Sequence, residues 1–118
     1  MPESGQFQIR VTADLTASIL ISTTTSAEID LAGTTLCGLH MPAAFTGTTL
    51  TFSASSASGG TFLVMQDGLG NNISKTVSAS AYIALDPADF AGVRFLKIIS
   101  GSTELAARSI ILATRSVG

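Results

Sequence analysis

The sequence contains little of what metal enzymes and nucleic-acid-binding proteins use. Its 118 residues include one cysteine, one histidine, one tyrosine and no tryptophan, and only 12% of them are charged. A single cysteine excludes an internal disulfide, and one cysteine with one histidine cannot build a zinc site within one chain. The six Lys and Arg residues are scattered, so no basic stripe is present to follow a phosphate backbone. We therefore expect no nucleic-acid partner.

We also expect no targeting or membrane-spanning segment from the pattern of this sequence. No apolar run approaches the roughly 18 residues that cross a bilayer as a helix. The first ten residues, MPESGQFQIR, do not have the basic-then-apolar order of a signal peptide. We therefore expect no membrane partner, and the lone Cys37 agrees with synthesis in a reducing cytoplasm.

No constellation of residues indicates catalysis or metal binding. His40 lies near a predicted strand end, with no particular nucleophile and acid to mark a triad. Cys37 lies in a predicted strand on an apolar face, where we expect a buried, unreactive thiol. Asp86 and Asp89 are better explained as turn caps than as metal ligands, and the loop 67–72 does not have EF-hand spacing. We predict no enzyme, and no catalytic, cofactor-binding or metal-binding residues.

Hydroxyl side chains are abundant instead, since Ser and Thr together make up about a quarter of the chain. A soluble monomer normally keeps a charged surface. A weakly charged, hydroxyl-rich surface therefore suggests that other protein covers much of it. The alternative is a stable monomer with a threonine-rich sheet face.

The apolar residues alternate with polar ones in short segments that are separated by turn residues. The segment 48–54 shows this most clearly, with Leu50 and Phe52 opposite Thr49 and Thr51. Eight to ten short strands of this kind predict an all-β fold, an antiparallel β-sandwich that is jelly-roll-like. A small barrel is the alternative. Apart from a corner near 86–91, only 103–108 has a helical pattern.

The corner near 86–91 is predicted to be one helical turn between two strands. Asp86 can cap the turn, and Pro87 then occupies a first position at which a missing N–H costs nothing. Asp89 could complete a capping box with Asp86. We expect Phe90 to fill the end of the sandwich and Gly92 to supply a positive φ.

Two expectations concern the arrangement of the chain. We predict a β-sandwich domain over 27–118, and over 1–26 an N-terminal strand or arm that could reach a neighbouring subunit. In the strand 93–99, strict alternation places Lys97 on the same face as Val93 and Phe95. Either a β-bulge near Phe95 or Leu96 changes the phase of this strand, or its second face lies in a subunit contact.

Sugar binding is the main alternative to a purely structural role. Carbohydrate-binding platforms use exposed aromatic rings, which stack on the apolar faces of pyranose rings. The only Tyr or Trp residue here is Tyr82, which we predict to be structural, and the phenylalanines all fit inward-facing positions.

The run 34–115 resembles small virion proteins of tailed bacteriophages. The residues that carry this resemblance are TTLCGLHMPAAFTGTTLTFSASSASGGTF, then QDGLGNNISKTVSASAYIALDPADFAGVRFLKIISGS, then RSIILATR, and they cover roughly two-thirds of the chain. All are structural residues, so the resemblance transfers no functional residue.

The resemblance implies a non-enzymatic capsid decoration (cement) subunit, which stabilises the phage head by binding between shell subunits. Its expected partners are the major capsid protein and itself, as a homotrimer. Its expected location is the capsid surface of the virion, after assembly in the bacterial cytoplasm. The alternative is a spike, fibre or tail accessory subunit with a receptor- or carbohydrate-binding β-sandwich. A small hydrolase is a third hypothesis, which is disfavoured because the sequence has no catalytic constellation.

Overall fold

Two antiparallel sheets pack against each other in the computed structural model, which describes residues 15–116. The strands in this range are, in chain order, β1 (Leu15–Ile19), β2 (Ile29–Asp30), β3 (Thr34–His40), β4 (Thr49–Ser55), β5 (Leu63–Val64), β6 (Ser74–Thr76), β7 (Tyr82–Ala84), β8 (Phe95–Ser100) and β9 (Arg108–Ser116). The first sheet has the order β1-β9-β3-β7. The second has the order β2-β8-β4-β5, and β6 also pairs with β4. The predicted all-β sandwich is confirmed.

Strands β5 and β6 are two parts of one interrupted strand. Val64 is opposite Ser53 and Ser74 is opposite Thr51, so residues 65–73 stand opposite Phe52 alone. Most of these extra residues form a hairpin that projects from the sheet, closed by a bridge between Gln66 and Asn72. When β5 and β6 are counted as one strand, the sheets have the orders 1-8-3-6 and 2-7-4-5, the two interlocked Greek keys of a jelly roll.

The core lies between the sheets and contains aliphatic residues from the inward faces of the longer strands, with three phenylalanines, Phe45, Phe52 and Phe90. Ile110 and Leu112 of β9 face Leu96 and Ile98 of β8, and all four are fully buried. The rings of Phe52 and Phe90 meet edge to face with centroids 5.1 Å apart. Such a pair adds stability beyond the area that it buries. Phe90 thus fills the end of the sandwich, as predicted.

Of the two alternatives for the strand 93–99, the β-bulge near Phe95 or Leu96 is wrong, and the subunit contact stays a prediction. Strand β8 pairs with β4 in unbroken register from Phe95 opposite Ser55 to Ser100 opposite Leu50. Leu96 and Ile98 therefore face the core, while Phe95 and Lys97 face outward and are half-buried. The Lys97 ammonium group lies 4.5 Å from the centroid of the Phe62 ring, so the loop before β5 covers this lysine. Phe62 and Phe95 also contradict the prediction that all phenylalanines face inward.

The irregularity lies in β3 instead. The register between β3 and β9 shifts between Leu36 and Gly38, so that Leu36 and Leu39 both face the core. Cys37 is the residue at the shift. It is half-buried and its Sγ lies 3.4 Å from the carbonyl oxygen of Thr35. The prediction of a buried thiol is therefore wrong, because the bulge turns Cys37 partly away from the core.

The corner between β7 and β8 is a single turn of 3-10 helix at Pro87–Phe90. Its cap is Asp86, whose carboxylate accepts a hydrogen bond from the amide of Ala88 at 3.0 Å. Gly92 then has a φ of 82°, as expected for the residue that lets the chain leave. Asp89 does not complete a capping box. Its carboxylate lies 4.0 Å from the ammonium group of Lys75 on the neighbouring strand β6.

In the described part of the predicted N-terminal arm, residues 15–19 form β1 of the first sheet, and residues 24–26 bond to β8 of the second. Strand β1 pairs with β9 from Leu15 opposite Leu112 to Ile19 opposite Arg108. Ala17 and Ile19 are fully buried, so this strand contributes to the core. Residues 1–14 lie outside the described residues, and for them an arm stays a prediction.

Candidate functional site

Four loops meet at one end of the sandwich: 20–27, 41–48, 77–81 and 101–107. Backbone hydrogen bonds join them in pairs. The amide of Met41 donates to the carbonyl of Ala81 at 2.8 Å, and the amide of Ser80 donates to that of Pro42 at 3.2 Å. The amide of Ser22 donates to the carbonyl of Glu104 at 2.9 Å. The four loops therefore form one continuous surface.

This surface exposes no charged side chain. The only charged residue in the four loops is Glu104, which is 1% exposed. Every exposed residue in these loops is Ser, Thr, Ala, Gly, Leu or Ile. We call the surface formed by 20–27, 41–48, 77–81 and 101–107 the uncharged end. An uncharged area of this extent is unusual, since charged residues normally dominate loops that face water.

Three large aliphatic side chains project from the uncharged end. Leu20 is 63% exposed, Ile21 is 59% exposed and Leu105 is 79% exposed. They lie on two adjoining loops that the Ser22–Glu104 hydrogen bond holds together. We call these three residues the apolar tip. Aliphatic residues grouped on a surface without charge are typical of the centre of a protein–protein contact.

The side chain of Glu104 ties two of the loops and strand β9 together. Its Oε1 accepts hydrogen bonds from the Thr46 amide at 3.0 Å and from Arg108 Nε at 2.9 Å. Its Oε2 accepts from the Thr46 hydroxyl at 2.9 Å and from the Gly47 amide at 3.1 Å. Both carboxylate oxygens are thus fully used, which is the condition under which a charge can be buried without a large cost.

The backbone of Glu104 adds a third loop to this arrangement. Its carbonyl accepts from the amide of Ser22, and its own amide donates to the carbonyl of Thr23 at 3.4 Å. Burial by itself would raise the pKa of Glu104, but the hydrogen bonds from Arg108, Thr46 and Gly47 outweigh it, and the pKa lies below its usual value of 4.5. Glu104 is therefore ionised at neutral pH, and it stabilises one arrangement of the loops that carry the apolar tip.

Sequence reasoning missed Glu104. The helical pattern at 103–108 is not realised, since 101–107 is a loop and β9 begins at Arg108. Patterns within one segment do not show which loops will meet. One signal was present: Glu104 is the only charged residue in the four loops and is followed four residues later by Arg108. Isolated acidic residues in otherwise uncharged loops are candidates for buried, paired carboxylates.

The residues weighed for catalysis or metal binding do not come together. His40 is exposed at the end of β3, where its ring lies beside that of Tyr82. The Oδ1 atom of Asp67 accepts from the amides of Leu69 and Asn71 at 2.8 and 3.1 Å, so the loop itself uses this carboxylate. In residues 15–116, no three His, Cys, Asp or Glu side chains are grouped as metal ligands would be.

Comparison with known proteins finds no relative: no family model, no curated protein and no solved structure matches this chain. Among the described residues, no helix is long and apolar enough to cross a membrane.

Proposed function

We propose that this protein is a non-enzymatic structural subunit that docks onto another protein through its uncharged end. The observation that carries this proposal is the apolar tip, three exposed aliphatic residues on a surface with no exposed charge. The centres of protein interfaces are depleted in charged residues in the same way. A surface without lysine or arginine does not attract nucleic acid or anionic lipid.

The hydrogen bonds of Glu104 support the same proposal. A docking surface made of loops loses binding free energy when the loops must be ordered on contact. Here the carboxylate of Glu104 and its backbone already join 20–27, 41–48 and 101–107. The apolar tip is therefore presented in one arrangement before the partner arrives.

The most specific form of the proposal is a capsid decoration (cement) subunit of a tailed bacteriophage, located on the capsid surface of the virion. It follows from the resemblance of 34–115 to small virion proteins. The uncharged end would contact the major capsid protein, and copies of the chain would associate as a homotrimer. A subunit that binds only the assembled shell stabilises that shell by mass action, and many copies on one lattice add their effects.

The alternative is a spike, fibre or tail accessory subunit that binds a receptor or a carbohydrate. One observation favours it, which is that Tyr82 is 52% exposed rather than buried. The two roles use different surfaces, since Tyr82 lies on the outer face of the first sheet and not in the four loops of the uncharged end. Variants on each surface therefore distinguish them.

The test of docking introduces one negative charge into the apolar tip. Leu105→Glu should abolish binding to capsids assembled from the major capsid protein of the same genome, measured by co-sedimentation. The matched control is Leu69→Glu, because Leu69 is 87% exposed at the tip of the 66–72 hairpin, away from the uncharged end. Both variants should melt at the temperature of the unchanged protein. Equal capsid binding by the two variants would contradict the proposed docking surface.

A further inference from the structure

Four exposed residues form a row across the whole first sheet. Thr16 of β1 is opposite Ile111 of β9, Ile111 is opposite His40 of β3, and His40 is opposite Tyr82 of β7. All four side chains are exposed, Ile111 by 40% and Tyr82 by 52%. Residues in register on adjacent strands share one face of the sheet, so the row lies on the outer face. We call these four residues the Tyr82 face.

The ring of Tyr82 lies along the sheet and not out into water. It covers Gly38, because a Cβ atom at that position would collide with the Tyr82 ring. The centroids of the Tyr82 and His40 rings are 4.7 Å apart, with an angle of 37° between the planes. Ala84 and Ala113 are in register with Gly38, and their small side chains leave the surface beside the Tyr82 ring shallow. The result is a shallow apolar area formed by two adjacent rings.

Polar groups around these rings are hydroxyls, not charges. Ser18 and Ser109 form the next outward pair beside Thr16. Along these described segments, the nearest ionised side chains at an even spacing from the row are Arg115 of β9 and Asp86, which follows β7, and each is four residues from it. Four residues of extended chain separate them from it by about 13 Å. The imidazole of His40 can donate and accept a hydrogen bond when it is neutral.

We propose that the Tyr82 face binds a neutral oligosaccharide, as a second site separate from the uncharged end. An apolar ring surface suits the C–H face of a pyranose ring, and the surrounding Thr16, Ser109 and His40 can bond its hydroxyl groups. The four strands span about 14 Å, which is room for two or three sugar rings. Among residues 15–116, no cation lies beside these rings to pair with an anionic glycan, so the ligand class is neutral.

The chain carries its own reporters for this test. It contains one tyrosine, one histidine and no tryptophan. Intrinsic tyrosine emission therefore reports on Tyr82 alone, and the imidazole proton signals in NMR report on His40 alone. Titration with cellohexaose, maltohexaose and chitohexaose should change both signals with the same saturation curve for at least one of these probes.

Two variants separate binding from folding. Tyr82→Ala should weaken binding of the responsive sugar about tenfold or more, which is the effect of losing one stacked ring. Tyr82→Phe keeps a ring over Gly38 and should bind within about threefold of the unchanged protein. His40 signals follow binding in both variants, and melting curves show whether each is folded. Leu63→Ala is the control, because Leu63 is 69% exposed on the second sheet.

Three results would overturn the proposal. The first is no response of either reporter to any of the three sugars at millimolar concentration. The second is a response that Tyr82→Ala and Leu63→Ala leave equally unchanged. The third is tyrosine emission that changes on dilution of the protein without sugar, which would show that a second copy of the chain covers this face.

Discussion

The two ends of the sandwich differ in whether the carboxylate that binds an arginine is buried or exposed. At the uncharged end, the only carboxylate is taken inside and bonded on both oxygens, and the surface is left to hydroxyl and aliphatic groups. Near the other end, Asp30 and Arg94 form a two-bond ion pair in water, with distances of 2.6 and 3.1 Å. Both carboxylates bind an arginine. They differ in exposure, since the Glu104 carboxylate is buried and that of Asp30 is exposed to water.

This difference shows that the burial of an ion pair determines how strongly its loss affects the stability of the fold. An exposed pair is hydrated in the unfolded chain as well, so it adds little to stability. A buried pair that loses one partner leaves the other charge without hydration or compensation, which is strongly destabilising. We therefore expect changes at Glu104 to affect the whole fold, and changes at Asp30 to have local effects.

The largest expected effect comes from Glu104→Ala. This change leaves Arg108 and the amides of Thr46 and Gly47 without their acceptor. We expect the free energy of unfolding to fall by about 3 kcal/mol or more, measured by urea denaturation. Asp30→Ala, the matched change near the other end, should cause a much smaller loss. Similar losses for the two variants would remove the contrast between the ends.

The next effect is a dependence on acid. The folded pKa of Glu104 is lowered below 4.5, so its stabilisation is complete above the unfolded value and is lost as pH falls through the folded pKa. Glu104→Gln lacks this ionisation. The stability difference between the unchanged protein and Glu104→Gln should therefore be constant above about pH 5 and shrink below pH 4.

Other carboxylates titrate in the same pH range but cancel in this comparison. The pKa values of Glu28 and Asp67 are also lowered, chiefly by hydrogen bonds from the backbone amides of Gly59 and Asn71. They titrate equally in both proteins, so the difference isolates Glu104. A difference that stayed constant down to pH 2 would show that folding does not lower the pKa of Glu104.

The fold could be predicted from the sequence where local rules determine the structure. Alternation of period two places Leu50 and Phe52 in the core, and the capping chemistry of Asp86 predicts the corner turn. The phase of β8 could not be decided in this way. Alternation left a β-bulge open for 93–99, but the strand is regular and Phe62 covers Lys97 from a loop distant in sequence. Contacts of this kind are not encoded in alternation.

The candidate site could be predicted less well, because it also depends on contacts between residues that are far apart in the chain. The uncharged end exists because a jelly roll brings together four loops that are far apart in the chain. Each loop alone is an ordinary turn of small polar residues. The low overall charge predicts that other protein covers part of the surface, but only the topology shows where the uncharged loops meet. Glu104 became visible only when its partners at Thr46 and Gly47 were known.

A smaller effect concerns backbone strain, which occurs at both ends. Ser22 and Ser80 at the uncharged end and Ala32 in the turn before β3 have left-handed φ values of 63°, 58° and 51°. Glycine relieves such strain but loses more entropy on folding. Each change to glycine should therefore raise stability by about 0.5–1 kcal/mol in urea denaturation. A loss at Ser22 alone would indicate that its side chain supports the Glu104 loop.

Salt should give the smallest effect and the cleanest separation of the two ends. Added salt screens the exposed Asp30–Arg94 pair, whose side chains are 44% and 55% exposed, but reaches Glu104 and Arg108 little, at 0% and 13%. The stability difference between the unchanged protein and Asp30→Ala should therefore diminish in 1 M sodium chloride, where the screening length is only about 3 Å. The difference for Glu104→Ala should stay the same, measured in the same urea series. If salt reduced both differences equally, the Glu104 carboxylate would have to be reached by water and ions, and the loops of the uncharged end would not be held closed around it.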